Sequence, residues 1–514
     1  MKVMAQRLRY IVSFIYDGKK EKHFSKVCES IDGSGKWRYD SIKYGDRKQD
    51  VYEFILNQFN DPSDDTNIGC AFRYDDAEDL PEITYRRPED DGDHVEIRIS
   101  DMGLFLFRSR VGLLWYEIGM DEPMDSDDLI VFQNRFKELG RKASRQFSIS
   151  GGLTVGDIVA QALEPLDLDI TFFDKKENHI SAAGRPTPER ANLFTYVVLS
   201  PSDYRPDHET YRETGHKTNC EADPETDCAD DPDREIINEA FWLTSGYNRN
   251  FIPMPDVEKT FFHPFGNMWW NLKKEGCGCF VRYDGPKSTF FVNPGNMPSK
   301  VMTDYFLLYI LLMHQDHALI RYASEIEGSL PADSDHFSSH KTSYINTMED
   351  ILATINTFLA KNIYTSVSYI DHQNEFYLYG ARKLRIRENA ESLSLGMDAL
   401  ADMQQIQEDH RDDARSEMNE RNERLSEMKM NIFLAVFSLM TVFSATTDMS
   451  SLFEKGAMRY GSPLFDLLLG FIVAATAFLV YELINNGKRY RRAQKRASEA
   501  EKKFEEEYGN EKKE

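Results

Sequence analysis

Residues 431–447, NIFLAVFSLMTVFSATT, and residues 463–484, PLFDLLLGFIVAATAFLVYELI, decide how this chain is organised. A helix needs roughly 17 to 25 mostly apolar residues to cross a bilayer, and both runs meet that length. They predict a membrane hairpin. The linking segment 448–462 is short, and the second run is followed at once by Lys488, Arg489, Arg491, Arg492, Lys495 and Arg496. Basic residues stay on the cytoplasmic side, so both termini are expected there, at the cell's inner (plasma) membrane. Tyr460, Phe465 and Tyr481 sit where interfacial aromatics belong.

Outward from the hairpin the chain changes character. Its 514 residues carry a net charge of -24 and a mean hydropathy of -0.54, so the segment before residue 430 is expected to be soluble and acidic. Such a surface repels a nucleic-acid backbone, so no direct nucleic-acid binding is expected. Residues 11–15 are too short for a secretory apolar core and lead into Lys19, Lys20, Glu21 and Lys22, so no signal peptide is read. Six cysteines are then expected to be reduced. Cys220, Cys228, Cys277 and Cys279 could supply four thiolates, though structural zinc sites space their pairs by two to four residues; ordinary thiols are favoured.

The first three hundred residues read as an α+β domain. Strands are expected at 9–16, 70–74, 94–99, 104–108, 113–118, 170–173 and 193–199, and a hairpin from 279–283 and 289–292 around Asp284-Gly285-Pro286-Lys287. Helical spacing covers 50–59 and 125–139, the latter opened by Asp125 or Ser126. The acidic stretch 201–234 reads as a solvated loop, because the Gly and Glu of a calcium loop are missing from their offsets. Gly33-Ser34-Gly35-Lys36 lacks the spacing of a phosphate-binding loop, and no hydrolase pattern is present, so an enzyme held at the membrane has little support.

From 301 the pattern turns helical. The apolar run 305–326 is broken by His314, Gln315, Asp316 and His317, and reads as a core helix with packing or surface histidines in place of a third span. Between about 365 and 444 there is no proline, and Gly380 and Gly396 are the only glycines. An unbroken helix over that range would measure roughly 120 Å and needs neighbours. Ala414, Met418, Arg421, Leu425, Met428 and Ile432 alternate spacings of four and three, a coiled-coil seam entering the first span. Gln404, Gln407 and Arg411 continue it in polar form; a wet central channel and an antiparallel-paired helix account for that equally.

Residues 418–436, MNERNERLSEMKMNIFLAV, resemble the Asn-rich stalk end and Met-Lys span entry of the CorA family of divalent-cation channels, and the likeness extends over about 305–496. The fold then expected is an α+β cytoplasmic domain, 1–300, followed by a long helical stalk, 301–429, and two C-terminal transmembrane helices, 430–447 and 463–485. An external loop, 448–462, joins the spans, and a charged cytoplasmic tail, 486–514, ends the chain. The resemblance implies a homopentamer in the lipid bilayer, its first spans lining a pore for a divalent cation such as magnesium. The family's Gly-Met-Asn triplet falls where this chain has Thr447, Asp448, Met449 and Ser450. Met449 is kept; Asp448 and Ser450 replace the glycine and asparagine. A ring of Asp448 would gather cations at the outer mouth with less discrimination. By spacing, Asn431, Leu434, Ser438, Thr441 and Ala445 share a face with Asp448 and are expected to line the pore.

The sequence is also similar to the CorA-like antiviral effectors of type III CRISPR systems, which implies a nucleotide second messenger as ligand of the enlarged N-terminal domain. The aromatic and basic stretch 248–291, with Trp269, Trp270, Lys273, Lys274 and Arg282, could stack on and pair with such a nucleotide, or be core and sheet edge.

Overall fold

The computed structural model describes residues 2–18, 23–40, 51–59, 64, 67–75, 80–86, 94–120, 123–139, 147–149, 152–173, 190–200, 232–245, 261–265, 268–274, 276–285, 288–329, 342–454 and 463–508. The chain divides into two compact units. One comprises Met1–Glu327 with Thr354–Leu395, and the other Gly328–Ala353 with Gly396–Glu514.

The first unit is built on a mixed sheet. Its strands are β1 (Lys2–Gly18), β2 (Trp37–Tyr39), β3 (Gly69–Tyr74), β4 (Ile83–Arg86), β5 (His94–Phe107), β6 (Val111–Gly119), β7 (Phe147–Ile149), β8 (Leu168–Phe172), β9 (Asn192–Ser200), β10 (Phe262–Phe265), β11 (Met268–Lys273) and β12 (Gly276–Arg282). The main path runs β10-β11-β12-β9-β1-β6-β5-β3-β2. Every pairing along it is antiparallel except β12 with β9. Strand β1 is long enough to take β9 along its first half and β8 along its second, on the edge opposite β6. Strand β9, NLFTYVVLS, is buried at every position, as expected of a central strand covered on both faces.

The two expected strands at 94–99 and 104–108 are one strand, β5, whose register shifts between Ile99 and Asp101 against β6. The expected hairpin is different from the observed one. Residues Thr289–Val292 form a helical turn, because β12 has no free edge to offer: β11 occupies one side and β9 the other.

Alternation along β1 divides the core. Leu8, Tyr10, Val12 and Phe14 face one side, packing with α1 (Phe24–Asp32), α3 (Ser126–Phe136), α4 (Val155–Leu163) and α5 (Pro232–Ser245), while the short α2 (Glu53–Asn57) buries Ile55. Asp125 caps α3 by accepting from the amides of Asp127 and Asp128, and Thr154 and Asp157 close a reciprocal capping box on α4. On the other face lie Arg9 and Ile11, under α8 (Phe306–Ser329), which follows α6 (Thr289–Val292) and α7 (Met297–Lys300). Residues 306–313 of α8 are all buried, consistent with a core helix.

Then come α9 (Thr342–Asn362) and α10 (Asp371–Lys383). Gly380 lets α10 approach α8: an added Cβ would stand 2.3 Å from Leu312 Cδ1. The long helix does not run on from residue 365. Arg385 has φ 56, a left-handed conformation that ends α10 before α11 (Ile386–Glu454) begins. The final helix is α12 (Pro463–Tyr508).

Candidate membrane hairpin

In the second unit the apolar runs belong to α11 and α12. Both pass the length and composition expected of a membrane-crossing helix, with mean hydropathies of 1.6 and 2.3 in their most apolar windows, and none of either window is buried inside the chain. A soluble protein's core helix would be covered. Two such helices support a membrane protein.

Their partly covered positions show how they pair. On α11 Leu425, Met428, Ile432, Ala435, Leu439, Val442 and Thr446 are half-buried while their neighbours are exposed. On α12 Leu468, Ile472, Ala475, Leu479, Glu482, Asn486, Tyr490, Ala493 and Ala497 are half-buried, as are Thr476, Leu483, Asn485 and Gly487 beside them. Both series step by three and four, the repeat of a coiled-coil seam. Lys429 Nζ lies 6.0 Å from the centre of the Tyr490 ring. Lys429 precedes the end of α11 by about as many residues as Tyr490 follows the start of α12, which is the register of an antiparallel hairpin.

The seam read through Ala414, Met418, Leu425, Met428 and Ile432 is this same half-buried row, and over the span it faces α12. Arg421, also on that row, is exposed and donates to Glu417 at 3.1 Å. The side chains of Gln404, Gln407 and Arg411 lie outside the described residues.

Relative to the seam, the span of α11 has two unlike flanks. On one side stand Phe433, Val436, Met440 and Phe443, from 36% to 72% exposed. On the other stand Asn431, Leu434, Ser438, Thr441 and Ala445, all exposed as well. The proposed pore-lining row is therefore one continuous face, smaller and more polar than its counterpart. Its hydroxyls turn inward: Ser438 Oγ donates to the Leu434 carbonyl at 2.8 Å and Thr441 Oγ1 to that of Phe437 at 2.8 Å. Thr447 Oγ1 likewise donates to the Ser444 carbonyl at 2.7 Å. Bonded in this way they tolerate an apolar surrounding as well as a wet one.

At the end of the span, α11 continues as helix through Thr447, Asp448, Met449 and Ser450 to Glu454. Helical bonding engages the backbone carbonyls of Thr447 to Ser450 there. The side chains of Asp448, Met449 and Ser450 lie outside the described residues.

In the first unit, the other residues singled out by sequence are mostly core. Trp270 is fully buried between Tyr305 and Phe376, with ring centres 4.7 and 4.6 Å away. Trp269 is half-buried, Lys274 is exposed, and Lys273 Nζ lies 4.3 Å over the Phe241 ring. Arg282 pairs with Asp284 at 2.8 Å. Thus Trp270 is closed to a ligand. Cys277 and Cys279 are fully buried on one face of β12, and burial pushes both thiols up, away from the thiolate a metal requires. Cys220, Cys228 and 201–231 lie outside the described residues. No group of metal-ligating side chains occurs among the described residues.

His314 and His317 do not converge. His314 stacks on Phe107 at 3.7 Å and shares a 2.8 Å hydrogen bond with Ser109 Oγ. His317 Nδ1 bonds the Met313 carbonyl at 2.7 Å. Beside them, burial raises the Asp316 carboxyl, against the opposing pull of His317 and Lys274. Gly33-Ser34-Gly35-Lys36 is the turn after α1, with Gly35 at φ 74, and leads into β2, so no helix N-terminus is there to hold a phosphate.

Sequence reasoning did not single out the charged cluster under α8. The Arg9 guanidinium lies between Trp115 and Phe306, 4.3 and 4.5 Å from the ring centres. It donates to Glu117 at 2.8 Å and to the Met302 carbonyl at 2.5 Å. Arg7 also donates to Glu117. Burial pushes the Glu117 carboxyl up, but the two guanidiniums outweigh it and hold it below the usual range. The visible signal was Arg7-x-Arg9 alternating within an apolar strand. Met302 lies in a π-helical turn, Val301–Tyr305, so this cluster ties β1 and β6 to the base of α8.

Comparisons of the chain with protein-family models, with curated proteins and with solved structures returned no match.

Proposed function

We propose that this chain is a CorA-like membrane channel for cations, assembled from several copies, most simply five, and gated by its N-terminal unit. The observation that carries this reading is the asymmetry of α11. Pairing with α12 leaves a bulky apolar flank suited to acyl chains and a small, hydroxyl-bearing flank, Asn431, Leu434, Ser438, Thr441 and Ala445, suited to another copy or to a water column. Two helices cannot enclose a pore, so conduction requires further copies.

The helical backbone through Asp448, Met449 and Ser450 favours a pore of low selectivity over a magnesium-specific one. A poorly selective pore joined to a large N-terminal unit supports the second reading: an antiviral effector that permeabilises the membrane when a nucleotide second messenger binds the N-terminal unit. Native mass spectrometry of the detergent-solubilised chain, with flux measured in liposomes, tests both. Five copies and cation flux abolished by Ser438→Phe are expected, with Phe433→Leu conducting normally. A monomer or dimer, or full flux in Ser438→Phe, removes the channel reading; flux that depends on an added cyclic oligonucleotide selects the second.

A further inference from the structure

The cluster after the second span is placed on the helix hairpin in a way that specifies a partner. Between Ile484 and Glu499, α12 carries Lys488, Arg489, Arg491, Arg492, Lys495 and Arg496 and no acid, in a chain of net charge -24. At the other end of the hairpin, residues 448–466 hold Asp448, Glu454 and Asp466 against Lys455 and Arg459. The charge is therefore concentrated at one end.

All six cations are exposed. Tyr490, Ala493 and Ala497 take the positions toward α11, so the six project from the remaining faces. Among the described residues the one ion pair they make is Lys495 with Glu499, at 3.9 Å and on a mostly exposed surface, where such a pair contributes little. Lys429, at the mouth of the first span, lies over the Tyr490 ring and adds a seventh cation at the same level. Tyrosine and lysine together are a usual anchor at the headgroup layer.

We infer that this collar binds the headgroups of anionic phospholipids. It rests on the reading of α11 and α12 as membrane spans, and goes beyond it by assigning a lipid class. Lys488 and Arg489 stand about 6 and 8 Å along the helix from Ile484, inside the screening distance of headgroup phosphates, about 8 to 10 Å at ordinary salt, and the long side chains of the others reach back toward that layer. Arginine supplies the fork that matches a phosphate's oxygens.

The test is native mass spectrometry of the full chain in detergent with equal amounts of phosphatidylglycerol and phosphatidylcholine. The wild type should retain phosphatidylglycerol in preference, by about tenfold or more, and lose the preference as salt rises. A variant carrying Lys488→Gln, Arg489→Gln, Arg491→Gln, Arg492→Gln, Lys495→Gln and Arg496→Gln should lose most of that preference. Replacing the arginines by lysine should keep the preference. Equal retention by the wild type, or an undiminished preference in the glutamine variant, overturns the inference while leaving the spans in place. Failure to retain either lipid, with a chain that stays soluble without detergent, removes the spans themselves. Displacement of phosphatidylglycerol by millimolar inorganic phosphate would make the collar a free-anion site and also overturn the assignment.

Discussion

At the scale of single residues, His314 and Gly278 show what burial demands. Burial, with a smaller push from His317, lowers the His314 pKa to about 3, against about 6.5 for a free histidine. Between those values the unfolded chain takes up a proton that the folded chain refuses, so stability falls as pH falls. The loss is about 1.4 kcal/mol per pH unit below 6.5, or about 2 kcal/mol at pH 5. Denaturant titrations followed by tryptophan fluorescence at pH 7 and pH 5 should show it, with a smaller difference in His314→Gln. Gly278 on β12 faces α5, where an added Cβ would stand 2.4 Å from Thr244 Cβ and 2.7 Å from its Cα. Since backbone cannot yield as a side-chain tip can, Gly278→Ala is expected to cost about 1 to 3 kcal/mol. A melting temperature equal to wild type would place α5 elsewhere.

At the scale of elements, the break between α10 and α11 depends on one residue. Arg385 has no Cβ-free option for its φ of 56, and a side chain in that conformation costs roughly 1 to 2 kcal/mol relative to glycine. Arg385→Gly should therefore raise the melting temperature of the first unit, whereas Arg385→Ala should not. Composition alone could not locate this break, because 365–444 contains no proline and only two glycines. The same limit applies to Thr289–Val292, whose β-branched and aromatic residues read as a strand. Strand pairing is a property of available edges, and β12 has none left. The caps at Asp125 and Thr154, by contrast, follow from side chains that bond neighbouring amides, and Asp125 was visible as such.

At the scale of the molecule, the first unit is discontinuous. Besides Met1–Glu327 it includes Thr354–Leu395, and α8 with the turn before it covers a sheet face carrying Trp115, Phe194 and Trp270. A fragment ending at residue 300 would expose that face and aggregate, while one ending at 395 should stay soluble and monodisperse in size-exclusion chromatography. If both fragments behave alike, α8 is dispensable to the unit. Orientation is a property of the whole chain as well: with the collar on the cytoplasmic side, tags at both ends should survive protease added to sealed, right-side-out spheroplasts. Cleavage of either tag would reverse the hairpin.

The sequence by itself determined the α+β character of the first three hundred residues, most strands of the sheet and the two apolar helices, because alternation, helical spacing and unbroken apolar length are local signals that neighbours only reinforce. It also marked the row Asn431, Leu434, Ser438, Thr441 and Ala445 as one face, since a helix fixes which residues align. Tertiary structure alone decided what covers each face. Over the span the heptad seam faces α12, Trp270 is enclosed by Tyr305 and Phe376, and the Arg9–Glu117 cluster forms only where two strands and α8 meet. Periodicity says that a surface must be covered; which segment covers it depends on contacts between residues far apart in the chain.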